Sequence, residues 1–446
     1  MTQRALFEIH SALWCRTEDP NMPVKKRTMK RHATGPGIGV AVKNIKKQKL
    51  SLSRPETPYT KTPGVVLTLG QGEVGQLGLG PDVLERTRPT VVPNMDNVVD
   101  ICAGGMHTIC LTESGEVITF GCNDEGALGR DTSIEGSETV PGKVELEGRV
   151  VQITAGDSHS AALLDNGVVY AWGSFRDSSG TMGLTSNGIE KRPIAMLPGT
   201  IVVKIASGAD HLVMLSDNGQ LYTCGCGEQG QLGRVAERGA SRGSRQGMAH
   251  LLSPSLVTFK PRHKPEFEDV WAGSYWTYAK EKSKGVIYVF GLNNYNQLGL
   301  EDQKRHFHPT VSESFSGKNW VQICGGQHHT IALDSEGATH ALGRKEYGRL
   351  GLGEDCDDAK APTPIPALRD KKCMDISCGS IVSFAVTDSG ELYAWGMGSN
   401  GQLGTGNEDD VYVPQLMKGK QLESRSVLRV SGGGQHTVLL AKPLDK

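Results

Sequence analysis

The side chains that could do chemistry stand just before a histidine that recurs through the chain. That histidine is His107, His159, His211, His329 and His436, with Trp276 and Val382 at two further turns of the cycle. The preceding positions carry Met106, Ser158, Asp210, Tyr275, His328, Ile381 and Gln435. Asp210 and His328 therefore put a carboxyl and an imidazole in a slot that other repeats fill otherwise, and Asp157 lies one residue further upstream in its own repeat. With Glu73 in the first turn and His436 at the last repeat histidine, they make up the candidate reactive set. Such groups can exchange protons or pair with a cation on a partner. Nothing signals covalent catalysis: His328-His329 lacks the HExxH frame, and neither a serine nucleophile elbow nor a GxxxxGK phosphate loop occurs. No cofactor or metal is expected, since the close pair Cys224 and Cys226 has the wrong spacing for a zinc knuckle.

The elements that must hold these residues follow from one stretch, Val98 to Arg130. It reads as a strand, a Gly-Gly turn ending in His107, a second strand, a Ser-Gly turn, a third strand ending in Phe120-Gly121, and a turn closing on Leu128-Gly129. The glycine ending the third strand returns as Gly70, Gly121, Gly173, Gly225, Gly291, Gly343 and Gly396, at intervals of 51, 52, 52, 66, 52 and 53 residues. The histidine position keeps the same period. Four short strands with their turns fill about fifty residues, which is one propeller blade, and seven such units close a ring. With 57 glycines in 446 residues, the expected class is all-β: a seven-bladed β-propeller over residues 64–442. The chain enters inside a unit, at third-strand residues Val65–Leu69, and leaves inside one, at Val427–Ala441. Its N- and C-terminal strands should therefore pair in a single blade and leave no free edge.

Residues 1–63 read differently. From Met22 to Arg54 there are ten Lys or Arg and no Asp or Glu, which leaves about −11 for everything else in a chain of net charge −1. The segment has Pro, Gly and Ser but no apolar period, so a disordered basic arm is expected. Its clusters, Lys25, Lys26, Arg27, Lys30 and Arg31, then Lys43, Lys46, Lys47 and Lys49, suit a nuclear import signal or an arm that binds nucleic-acid phosphates. No window of eighteen apolar residues suggests a membrane span. The ten cysteines, most in or beside predicted strands, read as buried reduced thiols of an intracellular protein.

Two units depart from the repeat. Six of them take eight residues from the strand-ending glycine to the last glycine of the following turn; Gly173 to Gly183 takes ten. The extra pair predicts a protruding hairpin tipped by Phe175, Arg176 and Asp177. The 66-residue interval predicts a flexible insertion between blades around Ala236–Leu252, whose Arg238, Arg242 and Arg245 suit capture of carboxylates or phosphates.

Gly-Gly-x-His-Thr, a third strand ending in Trp-Gly or Phe-Gly, and Gly-Gln-Leu-Gly (Gly75–Gly78, Gly230–Gly233, Gly401–Gly404) together resemble the regulator of chromosome condensation family. The resemblance covers Gly64 to Lys442, about 85% of the chain, and is carried by LGQGEVGQLG, GCNDEGALGRDTS, GSFRDSSG, GCGEQGQLGR, GGQHHT and EYGRLGLGE. Kelch and WD-repeat propellers fit worse, and the Gly-Trp-Arg-His-Thr motif of the plant ultraviolet-B photoreceptors is missing. The resemblance implies guanine-nucleotide exchange on the small GTPase Ran, performed on chromatin in the nucleus by stabilising the nucleotide-free GTPase. It would thereby support nucleocytoplasmic transport and assembly of the spindle and nuclear envelope. It places Asp210, His328, Asp157, Glu73 and His436 in the exchange site, with Glu73 where an aspartate is common, and makes the Phe175–Asp177 hairpin a wedge. It also implies docking of the Arg238, Arg242 and Arg245 loop on the histone acidic patch, and DNA contact through Lys260, Arg262 and Lys264. The arm would serve an import receptor, and the protein would act as a monomer. The alternative within the same fold is a chromatin-binding scaffold without exchange activity.

Overall fold

The structure is a computed structural model that describes residues 62–245, 247–259 and 264–444. The basic arm, Lys260 and Arg262 lie outside the described residues. Seven four-stranded antiparallel sheets account for almost all the regular structure. We number the blades by their inner strands: Val98–Ala103, Val150–Ala155, Val202–Ser207, Phe267–Gly273, Trp320–Gly325, Cys373–Cys378 and Arg425–Gly432. In blade one the later strands are His107–Thr112, Val117–Gly121 and Gly142–Val144, in that spatial order. Blade seven is composite: Arg425–Gly432 and His436–Pro443 from the C-terminus pair with Val65–Gln71 and Glu85–Val91 from the N-terminus. The seam runs in continuous register from Val65 opposite Ala441 to Gly70 opposite His436, so the expected closure is found.

Apolar side chains from the second and third strands meet those of the neighbouring blade. Trp172, Phe120, Trp395 and Phe290 are fully buried there, each adding roughly 1.5–3 kcal/mol from the surface it removes from water. The polar end of each indole is also satisfied: Trp172 Nε1 donates to Ala127 O at 2.8 Å, and Trp395 Nε1 to Arg349 O at 3.0 Å. These acceptors belong to the turn of the preceding blade, which explains why the repeat couples a Trp-Gly strand end to that turn.

The inner strands share one irregularity. Each carries a bulge beside the position seven residues before the repeat histidine, which pushes a polar residue toward the next blade. Those residues are Asp100, Gln152, Lys204, Asp269, Gln322, Asp375 and Arg429. Arg429 pairs with Asp100 and Lys204 with Asp269, while Gln322 Nε2 donates to Asp375 Oδ1 at 3.1 Å. Closer to the histidine, a ring of seven backbone bonds runs right round the mouth of the channel: Gly105 to Gly156, Asp157 to Ala209, Ala209 to Ser274, Ser274 to Gly326, Gln327 to Ser380, Ser380 to Gly433 and Gly434 to Gly105. The donor is always the residue two before the repeat histidine, so this end of the propeller is framed by backbone and its side chains are left to vary.

Candidate functional site

The repeat histidines are structural. His211 is fully buried, and its Nε2 lies 3.0 Å from Thr277 Oγ1 of the next blade. Thr277 donates its own proton to Gln231 O, 3.0 Å away, so the imidazole must be the donor, and Nδ1 has no partner among the described residues. The same relay joins His107 to Ser160 and Ala127 O, His329 to Ser383 and Arg349 O, and His436 to Thr108 and Gln76 O. Burial lowers His107 to about 4 and His159, His211 and His436 to about 3, which keeps those rings neutral. His436 is thereby corrected: with no exposed surface and its Nε2 committed to the blade seam, it supplies no surface group for a partner.

The preceding residue faces the other way. In every blade the residue after the strand-ending glycine donates its N–H to the carbonyl of this preceding residue, as in Cys226 to Asp210 O at 2.7 Å and Arg344 to His328 O at 2.9 Å. That approach needs glycine: Gly225 sits at φ 113°, and a Cβ there would stand 2.4 Å from Asp210 O. The side chains before the histidine and the turns that follow the third strands therefore share one end of the propeller. Gln71 N donates to Gln435 O at 2.9 Å, which puts the turn of Glu73 at this end too, with Glu73 exposed.

On one side of this end the site is acidic. Asp157 lies in the channel mouth, open to solvent yet ringed by protein, and Asp210 is half-buried beside it. Desolvation, then the neighbouring Asp157 carboxyl, pushes Asp210 up to about 8; desolvation also raises Asp157. Asp210 Oδ1 accepts the backbone N–H of Arg176 at 2.7 Å. Acid and hairpin are thus one unit.

The hairpin forms as the two-residue excess predicts, from strands Phe175–Asp177 and Gly180–Gly183. Its tip differs from the expectation. Phe175 is fully buried, packed on the His159 ring at 4.6 Å and within the core of Met182 and Leu184; Ser178 and Ser179 form the exposed turn. An apolar ring at the base gains more from the core than from water. Two carboxylates from flanking turns hold the sides: Glu125 Oε1 takes Arg176 Nη1 at 3.2 Å and Thr181 Oγ1 at 2.8 Å, and Glu228 takes Ser178 N at 3.0 Å and Oγ at 2.7 Å. Glu125 and Glu228 escaped the sequence reading, although both lie in the turn following a strand-ending glycine.

The insertion also differs. It lies within blade three, between strands Leu221–Gly225 and Ser255–Leu256, because the outer strand resumes after the excursion. It is anchored by a short helix, Gly247–Leu252, with Leu251 and Leu252 buried. Arg242 does not present its guanidinium outward: both nitrogens of its fork bind the Asp177 carboxylate, which is only 2% exposed, and Nη2 also donates to Gly180 O at 3.1 Å. Arg238, Arg245 and Lys264 are exposed.

Across the channel from the acids the chemistry inverts. His328 is half-buried, and desolvation followed by the charges of Arg349 and Arg344 lowers it to about 4. Its ring meets Tyr295 edge-on at 5.1 Å, and Arg344 lies 4.8 Å over the same Tyr295. The Nδ1 atom of His328 is buried with no hydrogen-bond partner among the described residues. The structure therefore brings Asp157, Asp210, Arg176 and Asp177 together, and sets His328 and Glu73 apart from them on the same end.

Residues 65–439 match the family model of the RCC1-like domain. The chain is 53% identical over 416 residues to the human regulator of chromosome condensation, covering 91% of this chain and 96% of that protein. It is 30% identical over 425 residues to the guanine nucleotide exchange factor SRM1 of Saccharomyces cerevisiae, covering 83% and 85%. Among solved structures, that of S. cerevisiae Prp20p, described together with its binding properties to Gsp1p and histones, superposes with a TM-score of 0.79 at 28% identity, covering 89% of this chain and 97% of that one.

Proposed function

The chain belongs to the regulator of chromosome condensation family, and we propose from this premise that it is a guanine-nucleotide exchange factor for a Ran-type small GTPase. The observation that carries the reading is the bond from Arg176 N to Asp210 Oδ1: the one lengthened hairpin is fastened to the acidic group at the channel mouth. A GTPase holds its nucleotide phosphates with a lysine, backbone N–H groups and Mg²⁺. When the nucleotide leaves, that lysine loses its anion. A carboxylate that is protonated or destabilised in the free factor gains most from meeting such a cation, so Asp210 and Asp157 bind the nucleotide-free partner better than the loaded one. By linkage the same free energy weakens nucleotide binding. His328, half-buried and neutral, takes a hydrogen bond from the displaced partner backbone, and the Arg176–Ser179 turn keeps the phosphate region from closing. No covalent bond changes, so the activity is catalysis of exchange and not of a reaction.

The named binding partners of Prp20p support a second, docking role. We assign it to the exposed Arg238, Arg245 and Lys264 and to the basic arm with Lys260 and Arg262, acting on histones and DNA phosphates; the arm's lysine clusters also suit an import receptor. The protein then works as a nuclear, chromatin-associated monomer.

Release of a fluorescent GDP analogue from Ran tests the reading. Wild type should accelerate it; folded Asp210→Ala should lose about 10- to 100-fold, the worth of one charge-assisted hydrogen bond, and folded His328→Ala about 2- to 10-fold, the worth of a neutral one. Folded wild type that leaves release unchanged would overturn it and leave a chromatin-binding scaffold.

A further inference from the structure

The wall of the central channel holds a pair of thiols that the exchange reading does not use. The channel encloses about 160 Å³ and is lined by glycine, alanine, serine, threonine and cysteine of the inner strands and the turns after them, with Asp157 at the mouth. At the position five before the repeat histidine, three blades carry a hydroxyl that accepts the N–H of the next blade: Thr154 from Ser207 at 3.0 Å, Ser377 from Gly432 at 3.0 Å, and Ser431 from Ala103 at 2.9 Å. The seam between blades five and six breaks this pattern. There Cys324 takes the place of the hydroxyl and Cys378 is the facing residue of the next blade, with the two sulfurs 3.1 Å apart.

We propose that Cys324 and Cys378 form a reversible disulfide, closed by hydroperoxide entering the channel. Both thiols are partly exposed. The strands that carry them are pinned on either side: Gln322 Nε2 donates to Ile376 O at 2.8 Å, and Gln327 N to Ser380 O at 3.0 Å. The sulfurs therefore need to move only about 1 Å to reach bonding distance, and no strand need shift register.

The two thiols are also unlike. Burial alone would raise Cys378; the hydrogen bond with Cys324 opposes it and lowers the group, while burial keeps Cys324 protonated. Cys378 is thus the attacking thiolate. It attacks one peroxide oxygen, the O–O bond breaks, hydroxide leaves, and a sulfenic acid forms. The Cys324 sulfur then attacks Cys378 Sγ; the S–S bond forms, and the sulfenic OH leaves with the Cys324 proton as water. Two electrons pass from the thiol pair to one peroxide. The bond ties blade five to blade six across 54 residues, on the inner strand that leads into His328.

The test treats the full chain with stoichiometric hydrogen peroxide and maps cross-links without reduction, alongside a thermal melt. The expected result is a link between the peptides of Cys324 and Cys378, reversed by dithiothreitol, with Tm raised by about 5 °C for a loop of this length in a protein of this size. Cys324→Ser and Cys378→Ser should each abolish the link, while Cys102→Ser, also on the channel wall, should keep it. Oxidation of Cys378 to sulfinic acid without the link, links that pair other cysteines, or no reaction would each overturn the proposal. Mapping of the wild type decides it even where a serine variant does not fold.

Discussion

His211 and Asp210 are adjacent in sequence and differ in every physical respect. The histidine is sealed in a blade seam, bonded to Thr277 and lowered to about 3 by burial. The aspartate is half-buried at the channel mouth, raised to about 8, and bonded to a hairpin that only its neighbouring blade possesses. One position is histidine in five of the seven blades because it is sealed in the seam; the other varies because only a partner needs it. The comparison shows how a repeat protein separates stability from recognition within two residues: the inward residue satisfies the core, and the next one is free to carry destabilised charge.

The largest effect that could break this separation is acid unfolding. A histidine neutral in the fold and ordinary when unfolded, near 6.5, lets the unfolded state bind protons first. Stability is then full above about 6.5 and is lost as pH falls toward 4, by about 1.4 kcal/mol per pH unit for each such ring. His107, His159, His211 and His436 all fall in this class. Denaturant midpoints that stayed flat from pH 6.5 to 4.5 would contradict sealed rings. At fixed neutral pH, His211→Ala should cost about 2–4 kcal/mol through the cavity and the lost hydrogen bond, yet leave the exchange rate of the remaining folded protein within about twofold of wild type. A large loss of exchange with unchanged stability would instead move the histidine into the recognition set.

A smaller effect sharpens the comparison at the hairpin. Removing Arg242 strands the Asp177 carboxylate in its nearly closed site, a loss of about 1–3 kcal/mol localised to the hairpin. Arg242→Ala should therefore raise protease sensitivity at Ser178-Ser179 and weaken exchange mainly through KM, since the acids themselves remain. Restoring the pair with reversed charges, Asp177→Arg with Arg242→Asp, should recover part of the loss. Equal behaviour of Arg242→Ala and wild type in both assays would return Arg242 to the docking set.

Much of this was legible from spacing. Two landmarks with one period gave seven blades; the half-unit at each end gave the composite blade; a count of ten against eight located the hairpin. What stayed hidden were contacts that depend on direction and not on count. Phe175 reads as a tip because it lies in the lengthened span from Gly173 to Gly183, but strand alternation turns it onto His159. Arg242 looked outward because the loop is rich in glycine and serine, but Asp177 offers a nearly buried carboxylate within its reach. The belt from Asp100 to Arg429 could have been found: seven residues before every repeat histidine, an apolar strand is interrupted by a polar side chain.

The smallest effect is the most discriminating, because stability and activity should move in opposite directions at one residue. Asp210 has a folded pKa near 8 against an unfolded value of 3.8, so the folded state holds the extra proton, and stability falls as pH rises through that window. Asp210→Asn keeps an oxygen to accept Arg176 N–H but carries no charge. At pH 8 it should stabilise the free protein, by no more than about 1 kcal/mol because the group is partly solvated, and it should flatten that part of the pH profile. The same change removes the anion that the partner's lysine would meet, so exchange should fall. A variant that lost both stability and exchange would show Asp210 to be one more seam residue, and the contrast with His211 would fail.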